Sequence, residues 1–133
     1  MGKLIAYANE GVVEEVSTKG EDLKWFQTPE MTGGRYTSIC RDIYEPGCGA
    51  RMGHSHEKGE ETIYIARGTG VARVGDEIFR LEPGALLLFP QGVPHRVWNN
   101  GTETLELVCF YANGPEAREC TDYEDFPFPE GLI

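Results

Sequence analysis

Long apolar runs are missing from this 133-residue chain. The longest, Ala85 to Phe89, is far short of the ~20 residues a membrane-spanning helix needs, so no membrane span is expected. Positive charge is scarce: 12 Lys plus Arg stand against 22 Asp plus Glu, a net charge of −10 at pH 7. Such a surface repels phosphate, which argues against a nucleic acid or an anionic membrane as partner. The four cysteines, Cys40, Cys48, Cys109 and Cys120, include no C-x-x-C pair. A thiolate zinc site and a dense disulfide framework are both disfavoured, and reduced thiols are expected. The first residues carry no apolar signal segment before Glu10, and Ala6 misses the myristoylation pattern. These features point to the cytoplasm. Helical periodicity is absent as well.

Turns are abundant. Seventeen glycines and eight prolines suit short strands broken often. Alternating β-branched and aromatic residues predict strands over 36–44, 62–66, 71–74, 77–81, 86–89, 93–98 and 105–111. Gly75-Asp76 has glycine first, as a type II′ hairpin turn requires. Seven short strands with frequent turns indicate an all-β sandwich or small barrel. The length allows one domain. We divide it into a barrel core at about 35–112, an N-terminal arm at 1–34 with one or two edge strands, and a C-terminal tail at 113–133. From Gly114 onward there are six acids and one base. Tyr123, Phe126 and Phe128 make that tail too apolar for a solvated end, so it should pack on the barrel or on a partner copy, with a mobile lid as the alternative.

All three histidines fall near strand ends. His54 and His56 are two apart and share one face of an extended chain. Glu61 alternates with Ile63 and Ile65, and His95 with Val97, so both should look inward. An H-x-H pair alone also fits a surface pair or a buried hydrogen-bonded pair. The surrounding order narrows the choice. His54-Ser55-His56 is followed by four residues, Glu61, six residues and Gly68; after fifteen intervening residues comes Gly84, then five residues, Pro90-Gln91-Gly92, two residues, His95, three residues and Asn99.

These two stretches resemble the two motifs of the cupins, small double-stranded β-helix (jelly-roll) proteins, over roughly Tyr36 to Tyr111. One position departs: Cys48 stands where the first motif opens with glycine, flanked by Gly47 and Gly49. The resemblance implies a jelly-roll barrel binding one divalent metal ion, Fe, Mn, Ni, Co or Zn, through His54, His56, Glu61 and His95. Neutral imidazoles and a carboxylate suit such ions, and an octahedral ion with four protein ligands keeps two positions open. Glu60 is the neighbouring candidate, as a rim or supporting charge. Asn99 reads as a turn cap, Cys48 as a turn residue, and Arg35 and Arg41 as salt-bridge arginines with a carboxylate clamp as the alternative. Alternation splits 36–44 into one face with Tyr36, Ser38, Cys40 and Asp42 and another with Ile39 and Ile43, without saying which lines the cavity. Tyr64 and Trp98 should face outward, which suggests a homodimer interface. The resemblance points first to a dioxygenase-type oxidoreductase using Fe(II) on a small organic molecule. A non-redox decarboxylase, lyase or isomerase, and a metal-loaded binding or sensing module without turnover, stand as alternatives.

Overall fold

Apolar alternation and turn chemistry fold the chain into eleven strands among the described residues, 2–133 of this computed structural model. In chain order they are β1 (Val12–Glu14), β2 (Glu21–Gln27), β3 (Ser38–Tyr44), β4 (Gly53–Ser55), β5 (Glu61–Arg67), β6 (Gly70–Val74), β7 (Glu77–Leu81), β8 (Leu86–Phe89), β9 (His95–Trp98), β10 (Leu105–Tyr111) and β11 (Thr121–Tyr123). One helical turn, α1 (Pro29–Thr32), precedes β3, and a 3-10 turn spans Pro115–Arg118. No helix among the described residues is long and apolar enough to cross a membrane. The strands form two antiparallel sheets, ordered β1-β2-β3-β10-β5-β8 and β11-β4-β9-β6-β7. Neighbours far apart in sequence, such as β3 and β10 or β4 and β9, give the expected jelly roll.

Local chemistry explains the joints. The β6–β7 hairpin turns at Gly75 and Asp76 with Val74 opposite Glu77, and Gly75 takes a φ of 56° as the first residue of a II′ turn. The break in the first motif is absorbed by its flanking glycine. Gly49 bridges to Trp98, and a Cβ there would meet the Val97 carbonyl oxygen at 2.5 Å. Cys48 itself sits in a turn, its Sγ 3.8 Å from the Pro46 carbonyl. Between the sheets, Ile63, Ile65, Leu81, Leu105 and Leu107 are fully buried, with Phe89, Val97 and Ala72 around them. Burial of such side chains contributes about 1.5–3 kcal/mol each.

The arm and tail are both built in. β2 pairs with β3 along almost its whole length, so the arm extends the first sheet rather than hanging loosely. β11 pairs with β4, and the tail then crosses the outer face of the second sheet. Phe126 and Phe128 are buried there, with Arg73 3.8 Å from the Phe126 ring centre and Arg96 4.8 Å from that of Phe128. Arg96 also donates to the carbonyls of Ala50 and Phe126. The tail packs on its own barrel. Trp98 is half-buried, with Arg96 5.4 Å from its ring centre, whereas Tyr64 is exposed on the outer face of the first sheet.

Candidate metal centre

The sheet topology brings four distant side chains together. His54 on β4 and His95 on β9 are direct partners in their ladder, and their ring centres lie 4.4 Å apart. His56 follows β4, its ring 5.3 Å from each of the other two. Glu61 opens β5 on the inward face shared with Ile63 and Ile65. One donor atom from each residue lies within 4.8 Å of all the others. That separation fits a single ion with bonds of about 2.0–2.2 Å.

Neighbours orient each ring. The His56 Nδ1 is 3.1 Å from the Glu119 carbonyl, so it donates there and its Nε2 faces Glu61 Oε1 at 3.0 Å. The amide of Gly92, from the second motif's turn, donates to the His56 carbonyl at 2.9 Å and ties the two motifs together. His95 Nδ1 sits 3.2 Å from the Val93 carbonyl, and Phe89 stacks on the ring at 3.9 Å with planes 7° apart. This leaves His95 Nε2 pointing into the cluster, buried, 3.4 Å from Glu61 Oε1 and without a hydrogen bond. An orphaned buried nitrogen among two other imidazoles and a carboxylate is what a cation would satisfy. The residues fit the implied ion.

Electrostatics divides the imidazoles. Burial and then the neighbouring His95 ring push His54 down to about 4, which keeps it neutral. Burial alone would also lower His56, but the Cys120 thiol and the Glu61 carboxylate beside it outweigh this and push it up to about 10. For Glu61 too, burial works toward the neutral form, and the His56 and His95 rings outweigh it, holding the carboxyl well below its usual range. The metal-free centre therefore holds a His56–Glu61 ion pair.

That pair has a pH signature. His56 titrates near 6.5 when unfolded and near 10 when folded, so the folded state keeps a proton the unfolded chain loses between those values. The stabilisation is complete below about pH 6.5 and is lost as pH rises toward 10. Thermal unfolding of chelator-treated protein is expected to show a Tm that falls over this range, and His56→Gln should flatten the fall. An unchanged slope in the variant would assign it to other groups.

The remaining expected residues fall into place around the cluster. Glu60 is exposed, and its main-chain carbonyl accepts from Ala112 at 3.2 Å. Asn99 is structural: its Nδ2 donates to the Tyr44 and Glu103 carbonyls at 2.9 and 2.8 Å, and its Oδ1 accepts from Gly101 at 3.0 Å. Arg35 is exposed and Arg41 lies on the outer face, 5.1 Å from the Phe26 ring centre, so neither lines the cavity. The inward face of β3 is the one with Ser38, Cys40, Asp42 and Tyr44. His54, Glu61 and His95 line an inner chamber of about 50 Å³, which shares Asp42, Tyr44, Ala50, His54 and Tyr111 with an outer cavity of about 660 Å³. The larger volume is ordinary for a small-molecule site. Trp25, Arg118 and Cys120 also line it, contributed by the arm and tail. No local motif flagged them. Cys120 lies 3.8 Å from His56 Nδ1.

The Cupin domain family profile matches residues 41–111, just over half the chain and all four clustered residues. The chain belongs to the cupin family. An uncharacterized protein of Methanocaldococcus jannaschii is 24% identical over 107 residues, covering 80% of this cupin and 85% of its own length. Among solved structures, this cupin is similar to a predicted oxalate decarboxylase from Thermotoga maritima (TM-score 0.72, 21% identity, covering 82% of this chain and 98% of that one). It is also similar to the polyketide cyclase RemF from Streptomyces resistomycificus (0.74, 17%, covering 99% and 91%). The nucleoside dehydratase Pac13, from Streptomyces, is a third (0.71, 17%, covering 90% and 90%). At these identities the likeness carries the fold, and activity has to be argued from the site.

Proposed function

We propose that this cupin is a metal-dependent enzyme that transforms a small organic molecule without net oxidation, by decarboxylation, elimination or isomerisation. One observation carries the reading: a buried cluster of three imidazoles and one carboxylate at the inner end of a cavity large enough for a metabolite. His54, His56, Glu61 and His95 would hold the ion. When bound, it would supply Lewis-acid polarisation of a substrate oxygen. The barrel walls bring the substrate to the ion: Tyr111 and Trp25 form an aromatic side, their ring centres 5.6 Å apart. The Tyr44 hydroxyl donates to Asp42 at 2.9 Å on the wall shared by chamber and cavity. Structures of this fold include a predicted oxalate decarboxylase, a nucleoside dehydratase and a polyketide cyclase, so the barrel is compatible with bond cleavage or ring closure.

A dioxygenase-type oxidoreductase using Fe(II) is the second reading. The donor set accommodates it, since three imidazoles and one carboxylate suit Fe(II) as well as its first-row neighbours. The two separate on oxygen. Protein stripped with chelator and reloaded with Mn, Fe, Co, Ni or Zn would be assayed on hydroxy acids, keto acids, diketones and catechols, under nitrogen and in air. Equal turnover in both atmospheres is the expected result. Product formation that needs O2, with stoichiometric oxygen uptake, would replace it with the second reading.

A further inference from the structure

The charge around the outer cavity is lopsided. Its walls hold six carboxylates, Glu14, Glu21, Asp42, Glu116, Glu119 and Asp122, against one guanidinium, that of Arg118. Arg118 is already engaged. Its Nη2 donates to Glu30 at 3.0 Å, its Nε to the Pro115 carbonyl at 3.3 Å, and its guanidinium carbon lies 5.3 Å from the Trp25 ring centre. An anionic end group entering here would meet repulsion from most of the wall and find no free cation there.

Asp42 is an independent observation. It is 9% exposed and borders both the cavity and the inner chamber. Its Oδ2 accepts from the Tyr44 hydroxyl at 2.9 Å, while its Oδ1 is buried with no hydrogen-bond partner. Glu21 sits opposite Tyr44 in the β2–β3 ladder, beside Asp42. Burial first, and then the Glu21 carboxylate, pushes the Asp42 pKa well above its ordinary value. A buried carboxyl with one free oxygen next to a second acid is satisfied by a proton or by a cationic donor, and its place on the cavity wall leaves it open to the donor.

We propose that Asp42, oriented by Tyr44 and backed by Glu21, is an ammonium-recognising subsite, and that the substrate is a small zwitterion. Its ammonium bonds Asp42 Oδ1, and its anionic end faces the metal centre, where one Glu61 carboxylate against a divalent ion leaves a net positive charge. The aromatic walls at Trp25 and Tyr111 suit a cation as well. This subsite rests on the metal reading above and narrows its substrate class.

The test uses the full chain loaded with Co(II), whose uptake is followed by equilibrium dialysis and visible absorption. Three ω-amino acids, β-alanine, 4-aminobutyrate and 5-aminovalerate, are titrated against dicarboxylates and ω-hydroxy acids of matched length. The best amino acid is expected to bind at least tenfold tighter than both its counterparts. Asp42→Asn should remove that preference while Co(II) affinity stays within twofold. Asp42→Ser should remove it likewise and serves if Asp42→Asn fails to fold. A dicarboxylate or hydroxy acid binding as tightly, a preference that survives both substitutions, or no binding of any amino acid to the Co(II)-loaded protein would overturn the subsite while leaving the metal reading standing. Failure to take up Co(II) would overturn both.

Discussion

Replacing His95 with alanine is expected to lower divalent-metal affinity more than ~100-fold and to abolish any metal-dependent turnover. Losing a group that merely supports a ligand typically costs 10–100-fold, and His95 is more than a support. Its Nε2 is a buried polar atom without a hydrogen bond, aimed at Glu61 and flanked by the other imidazoles. Its ring cannot swing away, because Phe89 stacks on one face and Val93 holds Nδ1. Alanine leaves two histidines and a carboxylate with an imidazole-sized void between them. The check is metal content by elemental analysis after dialysis, together with circular dichroism to confirm the fold. A folded His95→Ala protein retaining one ion per chain would remove the four-residue centre from consideration.

Substituting alanine at Gly68 is expected to destabilise the protein by about 3 kcal/mol or more, and at Gly84 by only about 1–2 kcal/mol. Both glycines anchor the motifs on which the family resemblance rests, and both have positive φ, 80° and 90°. Left-handed backbone accounts for the smaller figure. The difference is steric. A Cβ on Gly68 would lie 2.2 Å from the Thr104 carbonyl oxygen and 3.0 Å from the Leu105 Cα, both main chain and unable to yield without moving the start of β10. Around Gly84 there is nothing within 4 Å. Denaturant unfolding of the two variants would measure the gap, and equal losses would show that φ alone matters at these turns.

Much of this molecule could be read before its fold was known. Turn residues marked the ends of β5 through β10 to within two residues, because Gly-Asp, Glu-Pro-Gly and Pro-Gln-Gly interrupt alternation abruptly. Glu61 faces inward, as its alternation with Ile63 and Ile65 along β5 predicts. Alternation also places Trp98 on the outer face, where Arg96 lies beside it, but the tail that packs on that face has a landing place no local pattern encodes.

The β3 strand shows the same limit inside the barrel. Its apolar residues, Ile39 and Ile43, lie on the outer face, where the arm's Phe26 and Ala6 border Ile39. The polar face with Ser38, Asp42 and Tyr44 turns inward. On this strand the inward residues border the cavity and the inner chamber while the outward isoleucine Ile39 is covered by the arm, so hydrophobicity alone does not tell its two faces apart.

The order of strands and turns and the acidic balance follow from the chain's own residues, because spacing along a strand dictates face and turn chemistry dictates where strands stop; the four clustered donors were legible through the resemblance of their two motifs to the cupins. Which groups surround those donors was settled by topology. Glu119 and Cys120 reach His56 from 63 and 64 residues away. Asp42 meets Glu21 only because β2 adds to β3 in one register. Contacts of that range depend on how sheets order and close, a property of the whole packed chain that no window of sequence contains.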